Sequence, residues 1–178
     1  MLIGITGTLG AGKGTVAECL VENGFKHFSV RAFLLEEIRK RDLEENRDSM
    51  VAVANDLRKK HLPSYIVERL IEQAVSTGGN AVVESVRVPG EVEELKKAGG
   101  ILLSVDADIE KRYERIVARK SETDQVSFEE FKENEEREMN SSDPDKQNIT
   151  AVMRMADIHL KNNGSIDDLK RAVKEKIL

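Results

Sequence analysis

Residues 2–6, Leu2-Ile3-Gly4-Ile5-Thr6, run straight into Gly7-Thr8-Leu9-Gly10-Ala11-Gly12-Lys13-Gly14-Thr15, and residues 16–22 continue with helical spacing. A short apolar strand, a glycine-rich turn and a helix start form the context of a phosphate-binding loop. Glycines let the backbone curl until several N–H groups point at one anion. The helix behind adds its unpaired first amides and the positive end of its dipole. On this reading Gly7, Leu9, Gly10, Ala11, Gly12, Lys13, Gly14 and Thr15 hold the phosphates of a nucleoside triphosphate. Lys13 is expected at the β- and γ-phosphates. Gly14 stands where many such loops place their metal-binding hydroxyl, so Thr15 is expected to meet magnesium through water.

The 178 residues suit one domain with a real core. Hydrophobic content of 39% and charged content of 34% describe a soluble protein with a heavily charged surface. No apolar run approaches the ~20 residues of a membrane span. The N-terminus shows no basic leader, and the single cysteine, Cys19, suits a reducing compartment, so the expected location is cytoplasmic. A net charge of −5 argues against a general nucleic-acid binder. The expected partner is a small-molecule nucleotide acceptor, with no nucleic acid or membrane, for a monomer or homodimer. Phosphate binding in so acidic a chain has to come from locally placed donors.

Strand-like runs at 2–6, 25–30, 81–83, 101–105 and 157–160 alternate with helical patterns. That alternation predicts a three-layer α/β/α fold on a mostly parallel five-stranded sheet. Pro63 and Pro89 are placed to open helices, and Ser127/Glu130 and Ser165/Asp168 have capping-box spacing. Two stretches break the rhythm. Residues 31–77 leave room for three helices between the second and third strands, and the charged stretch after Arg119 contains few large apolar residues. Such excursions from an α/β core are read as ligand-covering segments, against the alternative of a solvated helical pair.

Two acids end strands, Glu84 and Asp106, and parallel strand ends share an edge with the phosphate loop. Glu84 is the candidate for the metal-water shell or an acceptor contact; Asp106 or Asp108 serves equally as a helix cap. Arg112, Arg115 and Arg119 follow one another at helical spacing, with Arg137 on the far side of the charged stretch. Closed over a triphosphate, such guanidinium groups stabilise transferring charge, and Arg115, Arg119 and Arg137 are the catalytic candidates beside Lys13. The competing reading is a surface helix laced with Glu–Arg pairs. Arg87 and Arg31, in loops after strands, are candidate ligands of an acceptor phosphate. His27, His61 and His159 have no metal spacing and are read as surface or strand-edge residues.

The run from Gly7 to Thr15 resembles the GxxGxGKGT of nucleoside monophosphate kinases, a group of P-loop kinases. Glu84-Ser85-Val86-Arg87, Gly90-Glu91-Val92 and the stretch from Met155 to Ser165 resemble archaeal adenylate-kinase-related or dephospho-CoA-kinase-like proteins. The resemblance implies ATP and Mg2+ as cofactors and transfer of a γ-phosphate to a nucleoside or deoxynucleoside monophosphate. It makes 31–77 a helical acceptor insert and 119–140 a mobile lid, places Asn163 at the base, and puts Ser29, Arg31, Glu84 and Arg87 around the acceptor. Dephospho-CoA is the alternative acceptor, and a nucleotide-binding regulatory module without transfer the alternative class. Leu35 occupies the place where adenylate kinases carry an acceptor-gripping arginine, so AMP does not follow from the resemblance.

Overall fold

The computed structural model describes residues 1–119, 126–143 and 146–178. Residues 120–125, within the expected lid, lie outside the described residues. Five parallel strands form one sheet in the order β2-β3-β1-β4-β5. They are β1 (Leu2–Gly7), β2 (Lys26–Ser29), β3 (Ala81–Glu84), β4 (Ile101–Asp106) and β5 (Ile158–Lys161). The sequence-predicted strands and these agree to within two residues. The second ends at Ser29 rather than Val30, because the Ser29 hydroxyl accepts from the Ala32 amide and caps the next helix.

Period-two alternation divides the sheet residues between two cores. Ile3, Ile5, Val82, Leu103 and Val105 face one side, packed by α1 (Lys13–Glu22) and α9 (Ile166–Ile177). Val83 and Leu102 face the other, covered by α2 (Val30–Lys40), α3 (Arg47–Lys60), α4 (Tyr65–Thr77) and α5 (Pro89–Lys97). This is the expected three-layer α/β/α fold, and the insert contributes three helices as predicted. Pro89 and both serine capping boxes also act as read, with Pro89 in the first turn of α5 and Ser127 and Ser165 as caps, whereas Pro63 stands in the turn ahead of α4, whose N-cap is Ser64.

After β4 come α6 (Ile109–Arg119), α7 (Phe128–Met139) and α8 (Ile149–Arg154). The charged stretch is more deeply rooted than its composition suggests. Phe131, Ile149 and Val152 are buried, and Val152 joins the core beside α5. Among the described residues no helix is long and apolar enough to cross a membrane.

One buried ion pair ties the insert to the sheet. Arg58 on α3 donates Nε and Nη2 to Glu91 Oε1 on α5, at 3.2 and 2.8 Å, with side chains 1% and 0% exposed. The other Glu91 oxygen accepts from the amides of Arg87, at 2.7 Å, and Val88, at 3.3 Å, so it also shapes the loop after β3. Removing one member of such a pair leaves the other buried and uncompensated. Glu91→Ala is expected to lower unfolding free energy by about 3–5 kcal/mol, read by urea denaturation.

Candidate phosphate-binding site

The loop between β1 and α1 is shaped around Lys13. Its buried ammonium donates to the carbonyls of Gly7 (2.9 Å) and Thr8 (2.8 Å). The first bond into α1 runs from Val16 N to Gly12 O, so the amides of Lys13, Gly14 and Thr15 precede the helical ladder. Gly12, the N-cap, has φ +106° and offers no side-chain cap, which leaves an anion as the natural one. A Cβ on Gly12 would fall 2.5 Å from Asn162 Nδ2. That amide donates to Ala11 O at 2.8 Å and holds the loop from the β5 side. From the other side Arg112 Nη1 donates to Leu9 O at 3.2 Å. Thr8 Oγ1 donates to Asp106 Oδ1 at 2.7 Å. Asp106 therefore braces the loop, while Asp108 pairs with Lys161 at 3.0 Å.

Beside the loop lies a cavity of about 670 Å³ that continues between α2 and α3. Lys13 and six arginines (31, 47, 58, 87, 115 and 119) line it, against three carboxylates, Glu18, Glu84 and Glu138. The acidic chain has thus collected positive charge in one place. Val30, Leu34, Met50 and Ala54 supply an apolar wall at the insert end. Buried Nη1 atoms of Arg58 and Arg115 carry no hydrogen bond within the protein. Arg115 Nη2 donates to Asn162 O at 2.9 Å, which aligns it with the loop brace.

Burial, and next the Arg87 charge, push the Lys13 ammonium down from 10.5 to about 7, while Glu84 and Glu138 pull the other way. Burial works against ionisation of Glu84, but the His27 hydrogen bond at 3.0 Å and the charges of His27, Lys13 and Arg87 hold it below the usual carboxylate range. Glu138 behaves alike: burial opposes its charge, and Arg87, Arg47 and Lys13 outweigh burial. His27, read as a strand-edge residue, does lie exposed on edge strand β2, where it also bonds Glu84. His61 stacks on Tyr65, and His159 meets Ser104 Oγ at 2.7 Å.

Of the residues singled out in the sequence, Leu9, Gly10, Gly12, Lys13, Gly14, Thr15, Ser29, Arg31, Glu84, Arg87, Arg115 and Arg119 line this cavity. Gly7 and Ala11 form the turn behind it. Two others are not brought in. Arg137 is exposed, bonds Asn134 one turn earlier, and lines a separate cavity of about 390 Å³. Asn163 spends its side chain on the Asp108 amide at 2.9 Å, and its neighbour Asn162 braces the loop instead. Arg47, Arg58, Glu138 and Gln147 also line the cavity and escaped the sequence reading. Arg47 and Arg58 sit in an insert without motif, and Glu138 in the charge run Glu135-Glu136-Arg137-Glu138; only Asn162 lay beside a signal, the Asn-Asn-Gly turn.

A model of the AAA domain family matches residues 3–141. A UPF0200/UPF0201 protein of Archaeoglobus fulgidus is 32% identical over 94% of this chain and 52% of its own length, so the chain spans about half of that relative. A UPF0200 protein of Methanothermobacter thermautotrophicus is 30% identical over 98% of the chain and 88% of its own. Among solved structures, a Thermus thermophilus protein has a TM-score of 0.64 at 25% identity, covering 98% of this chain and 95% of itself. Shikimate kinase from Aquifex aeolicus has a TM-score of 0.57 at 15% identity, covering 99% and 96%, a likeness of fold alone. The architecture is a P-loop kinase-like fold.

An anion beside Lys13 favours its charged form and raises its pKa, so binding takes up a proton wherever the free ammonium is neutral. At pH 8 a group titrating near 7 is roughly nine-tenths neutral. Inorganic triphosphate is therefore expected to bring with it up to about one proton more in the wild type than in Lys13→Arg, whose guanidinium stays charged. Calorimetry in two buffers of different ionisation enthalpy reads the difference; affinity should fall as pH rises above 7.

Proposed function

The chain belongs to the AAA domain family and has UPF0200 relatives, and from that premise we propose that it is an ATP- and Mg2+-dependent kinase of small nucleotides, the acceptor being a nucleoside or deoxynucleoside monophosphate. The observation that carries this reading is the cation-lined cavity, which joins the phosphate loop to the apolar wall of the α2–α3 insert. Its size suits a pair of substrates sharing one enclosure.

The residues fit a triphosphate. The loop amides and Lys13 would hold the β- and γ-phosphates, and the open space beside Gly14, where an added Cβ meets nothing within 4 Å, leaves room for them. They also fit magnesium. Among the described residues no group of three or more His, Cys, Asp or Glu is disposed to hold a metal ion. A cation there would draw its ligands from phosphate and water, with Thr15 and Glu84 in support, which is the way magnesium is ordinarily held. Bound there, magnesium supplies charge neutralisation.

The carboxylates support a phosphate acceptor. An alcohol acceptor calls for a general base, and such a base works best with a pKa near neutrality. Glu84 and Glu138 are both held low, Glu84 hydrogen-bonded to His27 and Glu138 to Arg47 and Arg87. A phosphate acceptor is already an oxyanion and needs positive charge, which the arginines provide. In the transfer, an acceptor phosphate oxygen bonds to the γ-phosphorus as the bond to the β,γ-bridging oxygen breaks, and ADP leaves. Lys13 holds the migrating group, while Arg115 and Arg119, on the helix flanking the loop, stabilise its charge. Arg137 has no part in this scheme. Dephospho-CoA, a longer acceptor that would take the phosphate on a ribose hydroxyl, is the second reading: the neighbouring 390 Å³ cavity, which shares Arg47, Glu138 and Gln147 with the main one, favours its length, while the lowered carboxylates weigh against a hydroxyl acceptor.

A panel of nucleoside and deoxynucleoside monophosphates, dephospho-CoA and shikimate with Mg2+-ATP tests the proposal, followed by product chromatography. Phosphorylated product is expected from a monophosphate. Lys13→Ala should reduce turnover by about 10²–10³-fold or more without unfolding the protein. Nucleotide-dependent stabilisation with no product from any acceptor would instead make the chain a binding module.

A further inference from the structure

Arg47 and Arg87 converge on one carboxylate. Arg47, in the first turn of α3, donates Nη2 to Glu138 Oε1, and Arg87, in the loop after β3, donates Nη1 to Glu138 Oε2 at 2.8 Å. Arg87 Nη1 also reaches Gln147 Oε1 at 2.6 Å. The three charged side chains are 18%, 20% and 13% exposed and all line the main cavity. Glu138 comes from the last turn of α7, a helix anchored elsewhere by buried Phe131 and by Glu135, whose carboxylate takes Arg112 Nη2 at 3.0 Å.

Resting on the kinase reading, we propose that the Arg47–Arg87 pair seats the acceptor's phosphate and that Glu138 is a built-in competitor the phosphate must displace. The charges argue for it. Two guanidinium groups share one carboxylate, each bonding only one of its oxygens, and Lys13 and Glu84 lie in the same field. A phosphate monoester brings up to two charges and three oxygens, which suits paired guanidinium groups better. A neutral alcohol has no charge with which to evict Glu138. The carboxylate thus keeps a costly pair of half-buried arginines satisfied when the acceptor is absent. It also sets a threshold that only a dianion passes, so selectivity arises from competition as well as attraction. Because Glu135 and Glu138 lie on one face of α7, the helix touches the acceptor seat and, through Arg112, the Leu9 carbonyl of the phosphate loop.

The test fills the donor site with a non-hydrolysable ATP analogue and Mg2+, then titrates inorganic phosphate by calorimetry. Glu138→Gln is expected to bind phosphate about tenfold more tightly than wild type. Adding Arg87→Met to that variant should abolish the binding. Glu138→Asp, which keeps the charge but is one methylene shorter, should fall between wild type and Gln; it covers the case in which Gln fails to fold. Equal or weaker phosphate binding in a folded Gln or Asp variant would overturn the proposal. Failure of the analogue itself to bind would overturn the kinase reading on which it rests, and an indifferent phosphate response with normal analogue binding would sink the competitor alone.

Discussion

Lys13 is buried on a loop whose carbonyls accept both hydrogen bonds its geometry shows, and the rest of the site is built to keep it there. An ammonium in that position is disfavoured by burial and by Arg87, which is why it titrates near neutrality. The loop keeps its curl because three other parts of the chain hold it: Asn162 after β5, Arg112 on α6 and Asp106 at the end of β4. All three arrive at the loop because the strands are parallel, so the ends of β4 and β5 open on the edge where β1 ends. An anion delivered to this place relieves the cation and completes the cap of α1 at the same time.

The same logic extends outward through the cavity. An acidic chain has gathered seven cations around one hollow. Each has to be satisfied without filling the space a ligand needs. Arg58 pairs through Nε and Nη2 with Glu91 in the core, leaving Nη1 without a hydrogen bond, and Glu91 also shapes the loop carrying Arg87. Arg112, which does not line the hollow, is occupied by Glu135 and by backbone carbonyls. Arg47 and Arg87 share Glu138. Core ion pairs such as Arg58–Glu91 are fixed by surrounding packing, whereas the arginines on Glu138 line the cavity, which is what the proposed exchange requires.

Much of the fold was legible because its signals are local. Alternation in residues 101–105, the glycine turn after β1, Pro89 and the Ser127 and Ser165 caps each act over a few residues, and each element forms where they place it. The charged stretch after Arg119 was less legible. Its composition reads as a solvated flap, yet Phe131, Ile149 and Val152 bury themselves, since a few apolar residues suffice to root a helix when a sheet face stands ready. Arg112, Arg115 and Arg119 share a helix, but Arg112 turns to the loop and Glu135 while the other two line the cavity, a split that spacing alone does not reveal.

By itself the sequence determined the three-layer parallel sheet, the anion-binding loop and the identity of its lysine, because strand period, glycine conformation and helix start are properties of neighbouring residues. Only the tertiary structure decided which charges meet. Asn163, expected at the base, turned to the Asp108 amide while Asn162 braced the loop, Arg137 stayed outside, and Arg47, Arg58 and Glu138 entered the cavity from helices with no motif to announce them. Glu138 meets Arg47 from 91 residues away and Arg87 from 51. Pairings of that kind are set by how helices pack on the sheet, and electrostatic energy depends on distance and burial, neither of which is written in residue order.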